Sequence, residues 1–378
     1  MCDVLIKNAK TLNGEQIDIA IIAGKIDKIG TQLTLDAKQV IDVKGQSYVS
    51  AGWIDLHTHC YANSPIYHDT PDRVGVSTGV TTVVDAGSVG ANDVDDFYQL
   101  SQLQKTNVYS LLNISKIGLL RQNELADLND LDEGLVSATL QRHGNFVVGL
   151  KARMSGSVVE NNGIEPLKVA KRMQANNGGL PLMVHIGNTP PKLDDVVDLL
   201  GENDVVTHCY NGKPNKIFTP QGQLKSSVQA AMERGMKLDV GHGGASFSFD
   251  VAEKAIAQGI YPDTISSDIY CKNRELGPVR SLAHIMTKFL NIGLSVEQII
   301  DCVTINAAQM VRFTFKGQLA EGFDADLTFF NIESQQISLE DCEQQTRQAT
   351  QQFMPVAAMV AGELTITDYG VQLNVFNS

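Results

Sequence analysis

The chain lacks several features that would have placed it in a special class. No stretch approaches the roughly 20 consecutive apolar residues that a membrane-spanning helix needs, and the opening MCDVLIKNAK holds no apolar core of a secretory leader. A cytoplasmic protein without a membrane partner is therefore expected. No CxxC spacing occurs among the six cysteines (Cys2, Cys60, Cys209, Cys271, Cys302, Cys342), which fits reduced thiols better than a disulfide framework. Basic charge is also short, with 30 Lys and Arg against 43 Asp and Glu and a formal net charge of −13. An acidic surface of this kind repels polyanions, so nucleic acid is not an expected partner and a small-molecule substrate is. What is present is 378 residues, 43% hydrophobic and 19% charged, enough for one large core or for a large domain with a smaller one. These bounds neither require nor exclude a homo-oligomer.

Residues 1–50 read as short strands and turns, among them DVLIKNA, IDIAIIAGKIDKIG with a turn at Ala23-Gly24, and QVIDVKGQSYVS. From Trp53 the pattern changes to apolar runs of strand length alternating with amphipathic segments. The runs are WIDLHTHC, VTTVVDAG, NVYSLLNIS, NFVVGLKAR, LPLMVHIG, DVVTHCY, KLDVGHG and DTISSDIY, and helical patterns such as IEPLKVAKRMQANN and SSVQAAMERG lie between them. Eight strands of this kind predict an α/β fold, a (β/α)8 TIM barrel over residues 51–319, because barrel strands are buried on both faces. An open doubly wound sheet gives a similar alternation. From about 320 the chain returns to strands (DADLTFFNI, VAAMVAGELTI). Neither end alone holds enough strands to bury a face, so 1–50 and 320–378 are expected to join in a small β-sandwich domain. The stretch EDCEQQTRQATQQ, ending at residue 352, is polar and expected to be exposed.

The polar residues at the ends of these runs carry the chemistry. His57 and His59 are two apart, which in a strand puts both imidazoles on one side, roughly 7 Å apart at the backbone. Two neutral nitrogens converging on one point suit a divalent metal. Lys151 ends FVVGLK, where a buried ammonium is costly unless it is paired or neutral. A neutral amine can add carbon dioxide to give a carbamate able to bridge two metals; a salt bridge to Asp268 or Asp85 is the structural alternative. His185, His208 and Asp268 end three further strands. Together the six supply a dinuclear site, with His57, His59 and Asp268 on one metal, His185 and His208 on the other, and modified Lys151 shared.

These residues resemble the amidohydrolase superfamily of metal-dependent hydrolases. The resemblance rests on the N-terminal strand hairpin, GWIDLHTH, Lys151 in GLKAR, His185 in MVHIG, His208 in THCYN, Asp268 in ISSD and the late EGFDADLTFFN, and it covers nearly the whole chain. It implies a carboxylated Lys151 and a binuclear zinc centre. Among subgroups the chain looks most like deacetylase-type members, whose relatives include proteins labelled dihydroorotase-like or adenine-deaminase-like. Two departures bear on substrate. Dihydroorotase-type enzymes usually carry an arginine two positions after the second histidine, where this chain has Tyr61. Mononuclear deaminases usually place a glutamate shortly after the third histidine, and HIGNTPP has none.

The expected reaction is attack of a metal-bridging hydroxide on an acetyl ester or amide, with Asp268 moving the proton to the leaving group. Arg153, two residues past Lys151, is a candidate for binding a substrate carboxylate or for a structural salt bridge. His242 in GHGGAS, with Tyr210, Asn211 and Tyr270, are further substrate-binding candidates at the mouth; His68, His143 and His284 read as surface or packing residues. A deacetylase or esterase acting on a small carboxylate-bearing molecule is the first expectation. Adenine-deaminase-like or cyclic-amidase (dihydroorotase-like) activity at the same site is the alternative. A scaffold without activity is disfavoured because each ligand position is filled.

Overall fold

The computed structural model describes residues 1–373. Strands β1 (Cys2–Lys10), β2 (Gln16–Ile22), β3 (Lys25–Gly30), β4 (Ala37–Asp42) and β5 (Tyr48–Ala51) come first. They are followed by β6 (Trp53–Thr58), β7 (Val80–Ala86), β8 (Asn107–Asn113), β9 (Val147–Met154), β10 (Leu182–Ile186), β11 (Asp204–Thr207) and β12 (Lys237–Leu238). The chain ends with β13 (Leu327–Glu340), β14 (Thr346–Val360) and β15 (Glu363–Ile366). The seven strands β6 to β12 form one parallel sheet in sequence order, as buried apolar runs separated by helices require.

The sheet curls until its two edges meet the same segment. Residues 264–269 bridge in parallel to both sides, through Asp239–Thr264 and Thr58–Ile269, and so occupy the eighth position expected for DTISSD. Backbone bonds tie them to both neighbours, Val240 N to Thr264 O and His242 N to Ser266 O on one side, Asp268 N to His57 O and His59 N to Ile269 O on the other, and side chains add to these. Thr264 and Ser266 give their hydroxyls to Asp239 at 2.7 and 2.6 Å, while Ser267 N–H and O–H both go to the buried Asp55.

The helices cover the outside of this sheet. Glu165–Asn176 buries Leu167, Ala170, Met173 and Gln174, spaced by three and four so that they share a face. Glu133–His143 starts at Asp132, whose side chain accepts from Leu135 N. The run SVEQIIDCVTINAAQMV is two helices, Val296–Val303 and Ile305–Met310, broken at Thr304 where φ is −127° and ψ is −94°.

Both chain ends build a second sheet of eight strands in the order β15-β14-β13-β5-β1-β2-β3, with β4 added on β1. Residues 374–378, at the end of the expected C-terminal contribution, lie outside the described residues. This sheet has its own core, including Ile6, Ile19, Leu327, Phe329 and Met359. The only tryptophan joins it to the barrel. Trp53 is wholly buried, with ring centroids 5.3 Å from Phe330 and 6.2 Å from Phe353.

The polar stretch after 340 is largely exposed, as expected, with Asp341 and Ala349 buried. β13 and β14 make a long hairpin whose tip docks on the helix Phe249–Ala257. Asp341 is 2% exposed and accepts from Phe249 N at 2.9 Å, taking one of the unpaired N–H groups at that helix start. Arg347 pairs with Glu253 and Asp250 of the same helix. Asp341 is the buried polar residue of this stretch, because its oxygens find partners.

Candidate metal centre

Six side chains meet at the C-terminal end of the parallel sheet, where strand ends of this architecture hold their chemistry. β6 brings His57 and the residue after its end, His59; β9 brings Lys151; β10 brings His185. His208 follows β11, and Asp268 belongs to the closing segment. Both of the latter hold left-handed backbone angles, φ +66° and +51°, which turn their side chains inward where a continuing strand would have alternated away.

The distances are those of a shared site. Lys151 Nζ lies 2.9 Å from His57 Nε2, and His208 Nε2 lies 2.8 Å from His185 Nδ1. Asp268 Oδ1 is 3.1 Å from His59 Nε2 and 3.4 Å from His57 Nε2. Ligand atoms of His57, His208 and Asp268 all fall within 4.8 Å of one another, a grouping that crosses the two halves expected from the sequence. Two glycines permit this crowding. A Cβ on Gly241 would stand 2.0 Å from Thr207 Oγ1 and 3.0 Å from ring nitrogens of His57 and His208; one on Gly243 would stand 2.3 Å from Asp268 Oδ2.

Hydrogen bonds behind the rings fix which nitrogen faces inward. Thr207 donates its hydroxyl to Asp239 at 2.7 Å, so its oxygen accepts from His57 Nδ1 at 2.9 Å and leaves the Nε2 lone pair toward the centre. His59 Nδ1 contacts Ser88 Oγ at 2.8 Å, and Ser88 in turn bonds the buried Asp85. His208 Nδ1 gives its proton to Gly241 O, which again frees Nε2. These carboxylate–hydroxyl–imidazole relays, through Asp85, Ser88, Thr207 and Asp239, were not anticipated from sequence. Their only signal is a polar residue inside an otherwise apolar run, as in VVDAGS and DVVTHC.

Electrostatics keep the cluster in a ligating state. Burial pushes the His57 and His185 rings well below their ordinary value, and takes His208 down to about 3 against the opposing charge of Asp268. Burial likewise takes Lys151 down to about 7, opposed by Asp268 and assisted by Arg153. Burial raises the Asp268 carboxyl, but the bond from His59 and the charges of His208, His59 and Lys151 outweigh it and hold it below the usual range. Imidazole nitrogens and a carboxylate are a donor set that a borderline divalent cation takes. The residues therefore fit a metal. The expected salt bridge of Lys151 to Asp85 or Asp268 is not formed; its amine instead meets His57 and, at 3.4 Å, Met183 Sδ.

The centre opens into a cleft of about 380 Å³ lined by Arg153, Ser155, Lys213, Tyr270 and Lys272 among others. Arg153 and Tyr270 therefore lie where the sequence placed them, and Arg153 pairs at 3.1 Å with the wholly buried Glu124. Three expectations are corrected. His242 is 0% exposed, stacked on Phe247, and held between Lys288 Nζ at 2.8 Å and Gly243 O, so its ring faces the core and does not line the cleft. Tyr210 is equally buried and donates to Ile260 O at 2.8 Å, directed away from the cleft. Asn211 is buried and spans His208 O and Lys213 N, which shapes the turn after His208 without reaching the cleft. Lys213, Lys272 and Ser155 were missed, since nothing in sequence shows which loop lysine folds inward.

Comparison with known proteins agrees with this geometry. A family model described as a deacetylase-like composite domain matches residues 319–365. A protein of Enterococcus faecalis named deacetylase is 45% identical over 96% of this chain and 98% of its own length. A deacetylase of Agrobacterium fabrum is 35% identical over 90% of this chain and 84% of its own. A solved structure described as an adenine deaminase superposes with a TM-score of 0.95 at 44% identity, covering 97% of this chain and 100% of that one. Another, described as a dihydroorotase, gives 0.89 at 32% identity over 97% and 99%. With this identity along almost the entire sequence and a cluster of ligating side chains at the strand ends, the chain belongs to the amidohydrolase superfamily of metal-dependent hydrolases.

Proposed function

We propose that the chain is a deacetylase that removes an acetyl group from a small carboxylate-bearing molecule, either an ester of a hydroxy acid or an amide of an amino acid. The relatives named deacetylase support this, and so does the observation that carries most weight: a fully buried lysine amine set against His57 Nε2 with no carboxylate bonded to it. In this reading the Lys151 amine would add carbon dioxide, forming an N–C bond and releasing one proton, and the resulting carbamate would help to hold two divalent ions, zinc by preference. His57, His59 and Asp268 would hold one ion and His185 and His208 the other. Ions held there would supply Lewis acidity, lowering the pKa of a bound water and polarising the substrate carbonyl.

The protein's own groups do the rest. Asp268 takes the proton of the attacking water on a carboxylate oxygen and returns it to the leaving oxygen or nitrogen. Asp239 and Thr207 hold the His57 ring, Ser88 holds His59, and Gly241 O holds His208, so the nitrogens do not reorganise as charge develops.

Deamination and cyclic-amide hydrolysis form the second reading, because similarly identical structures carry those descriptions. Against dihydroorotate, Tyr61 replaces the expected arginine and turns its hydroxyl to Asp96 at 2.7 Å, with 7% of its surface exposed. Against adenine, the lysines of the cleft favour an anion over a neutral base. The test is acetate release from acetylated hydroxy acids and acetylated amino acids, run beside ammonia release from adenine and ring opening of dihydroorotate, with metal content measured on the same sample. About two metal equivalents and acetate release alone are expected; ammonia from adenine without acetate replaces the first reading by the second.

A further inference from the structure

Gly187 follows β10 and is buried. A Cβ built on it would stand 3.0 Å from Ser155 Oγ, 3.3 Å from Lys213 Nζ and 3.6 Å from His185 Nε2. Polar atoms from three segments thus face a gap beside residue 187 no wider than a methyl group, and Ser155, Lys213 and His185 all line the cleft next to it. Each has donor capacity to offer. Ser155 is 4% exposed; its oxygen accepts from Asn188 N at 3.3 Å, which leaves its own hydroxyl proton available. Lys213 uses its backbone N–H on Asn211, while its ammonium has no ion pair among the described residues. His185 turns its Nδ1 to His208 and its Nε2 to the gap. One imidazole ring therefore separates the gap from the metal-ligating cluster.

Charge singles out the same place. The chain carries −13 overall, yet the cleft is lined by Lys151, Arg153, Lys213 and Lys272 against the one carboxylate of Asp268. Arg153 is already answered by Glu124, whose side chain is 0% exposed, and Lys151 is turned into the cluster. Lys272 is exposed at the rim. Lys213 is left as the cation at a preformed, partly desolvated gap, where a charge-assisted hydrogen bond is worth most.

We infer that Lys213 and Ser155, where they line the cleft beside Gly187, form the subsite for the substrate's carboxylate, and that Lys213, not Arg153, sets the requirement for a negative charge. This rests on reading the cleft as that of a hydrolase for acetylated acids. The Arg153–Glu124 pair serves as a wall of the cleft.

The test compares metal-loaded wild type with Lys213→Met, Lys213→Arg and Gly187→Ala on O-acetyl-lactate and its uncharged amide. The ratio of kcat/KM for acid over amide is expected to fall about 10- to 100-fold in Lys213→Met, mainly through KM for the acid, and to recover largely in Lys213→Arg. Gly187→Ala, whose added methyl group fills the gap, is expected to lower the ratio as Lys213→Met does. An unchanged ratio in Lys213→Met, or equal loss on both substrates, overturns the assignment. If wild type releases acetate from neither compound, the deacetylase reading fails. The subsite is then judged by calorimetric titration of the same proteins with lactate. Binding at least about tenfold weaker in Lys213→Met supports it, whereas equal binding, or none to wild type, refutes it.

Discussion

Asp268 combines two properties that rarely meet in one carboxylate. It sits with φ at +51°, and its oxygen lies 3.1 Å from His59 and 3.4 Å from His57. Replacement by Asn preserves shape and one acceptor oxygen but cannot take up a proton, so turnover should fall about 10²- to 10⁴-fold while the metal content of the purified variant stays near that of wild type. Turnover near normal would remove Asp268 from proton transfer. At this scale the sequence was readable wherever an ionisable residue closed an apolar run, because burying such a group without a partner is expensive and six coincidences are implausible. It was unreadable where the partner is distant. His242 and Lys288 are 46 positions apart, and Arg153 and Glu124 are 29 apart, so the groups that satisfy His242 and Arg153 could not be seen from either residue's neighbours.

Among the elements, the β13–β14 hairpin has the longest reach. It starts in the sheet built from the chain ends and finishes against a helix of the barrel, with Asp341 at the start of Phe249–Ala257. The same carboxylate accepts from Glu343 N and Gln345 N at 2.8 and 2.9 Å, so it closes the hairpin turn as well. Asp341→Ala should leave the buried Phe249 N–H and two N–H groups of the turn without this partner and lower unfolding stability by roughly 1–3 kcal/mol, read as a lower urea midpoint. A midpoint within error of wild type would show that the tip is held by Arg347 and its carboxylates alone. The strands of the parallel sheet were legible as apolar runs. The two-residue β12 and the segment 264–269 were less so, since part of their bonding runs through Asp55 and Asp239 side chains, which a hydropathy pattern does not report.

For the molecule as a whole, two lysines are buried without a carboxylate bonded to the amine. Burial takes both Lys151 and Lys288 down to about 7, from ordinary values of 10.5. Lys288 satisfies its amine with Pro278 O, Glu340 O and His242 Nε2, and so links the helix Leu282–Asn291 to the hairpin and to the loop beside the metal centre. A lowered amine pKa means that the unfolded chain binds more protons than the folded one above about pH 7, so stability rises with pH there. The rise ends near pH 8.5, where unfolded thiols begin to ionise while burial holds Cys60 and Cys209 protonated in the fold. The urea midpoint of metal-free protein should therefore climb between about pH 7 and 8.5, and Lys288→Met should lose roughly half of that slope. A midpoint that falls over this window would show that the two amines stay charged inside. Among the described residues no helix is long and apolar enough to cross a membrane, in keeping with the short apolar runs.

Local order along the chain was enough to determine the alternation of strands and helices, the return to strands after 320, and the six residues that meet at the strand ends. Those features depend on burial periodicity and on the cost of placing charge in an apolar run, and both are written in neighbouring residues. Tertiary structure alone decided that Lys213 faces the centre, that His242 and Tyr210 turn away from it, that Glu124 answers Arg153, and that Asp341 at the hairpin tip is buried. Each of these depends on which distant group arrives within hydrogen-bond reach, and that is set by how the sheet closes, not by sequence spacing.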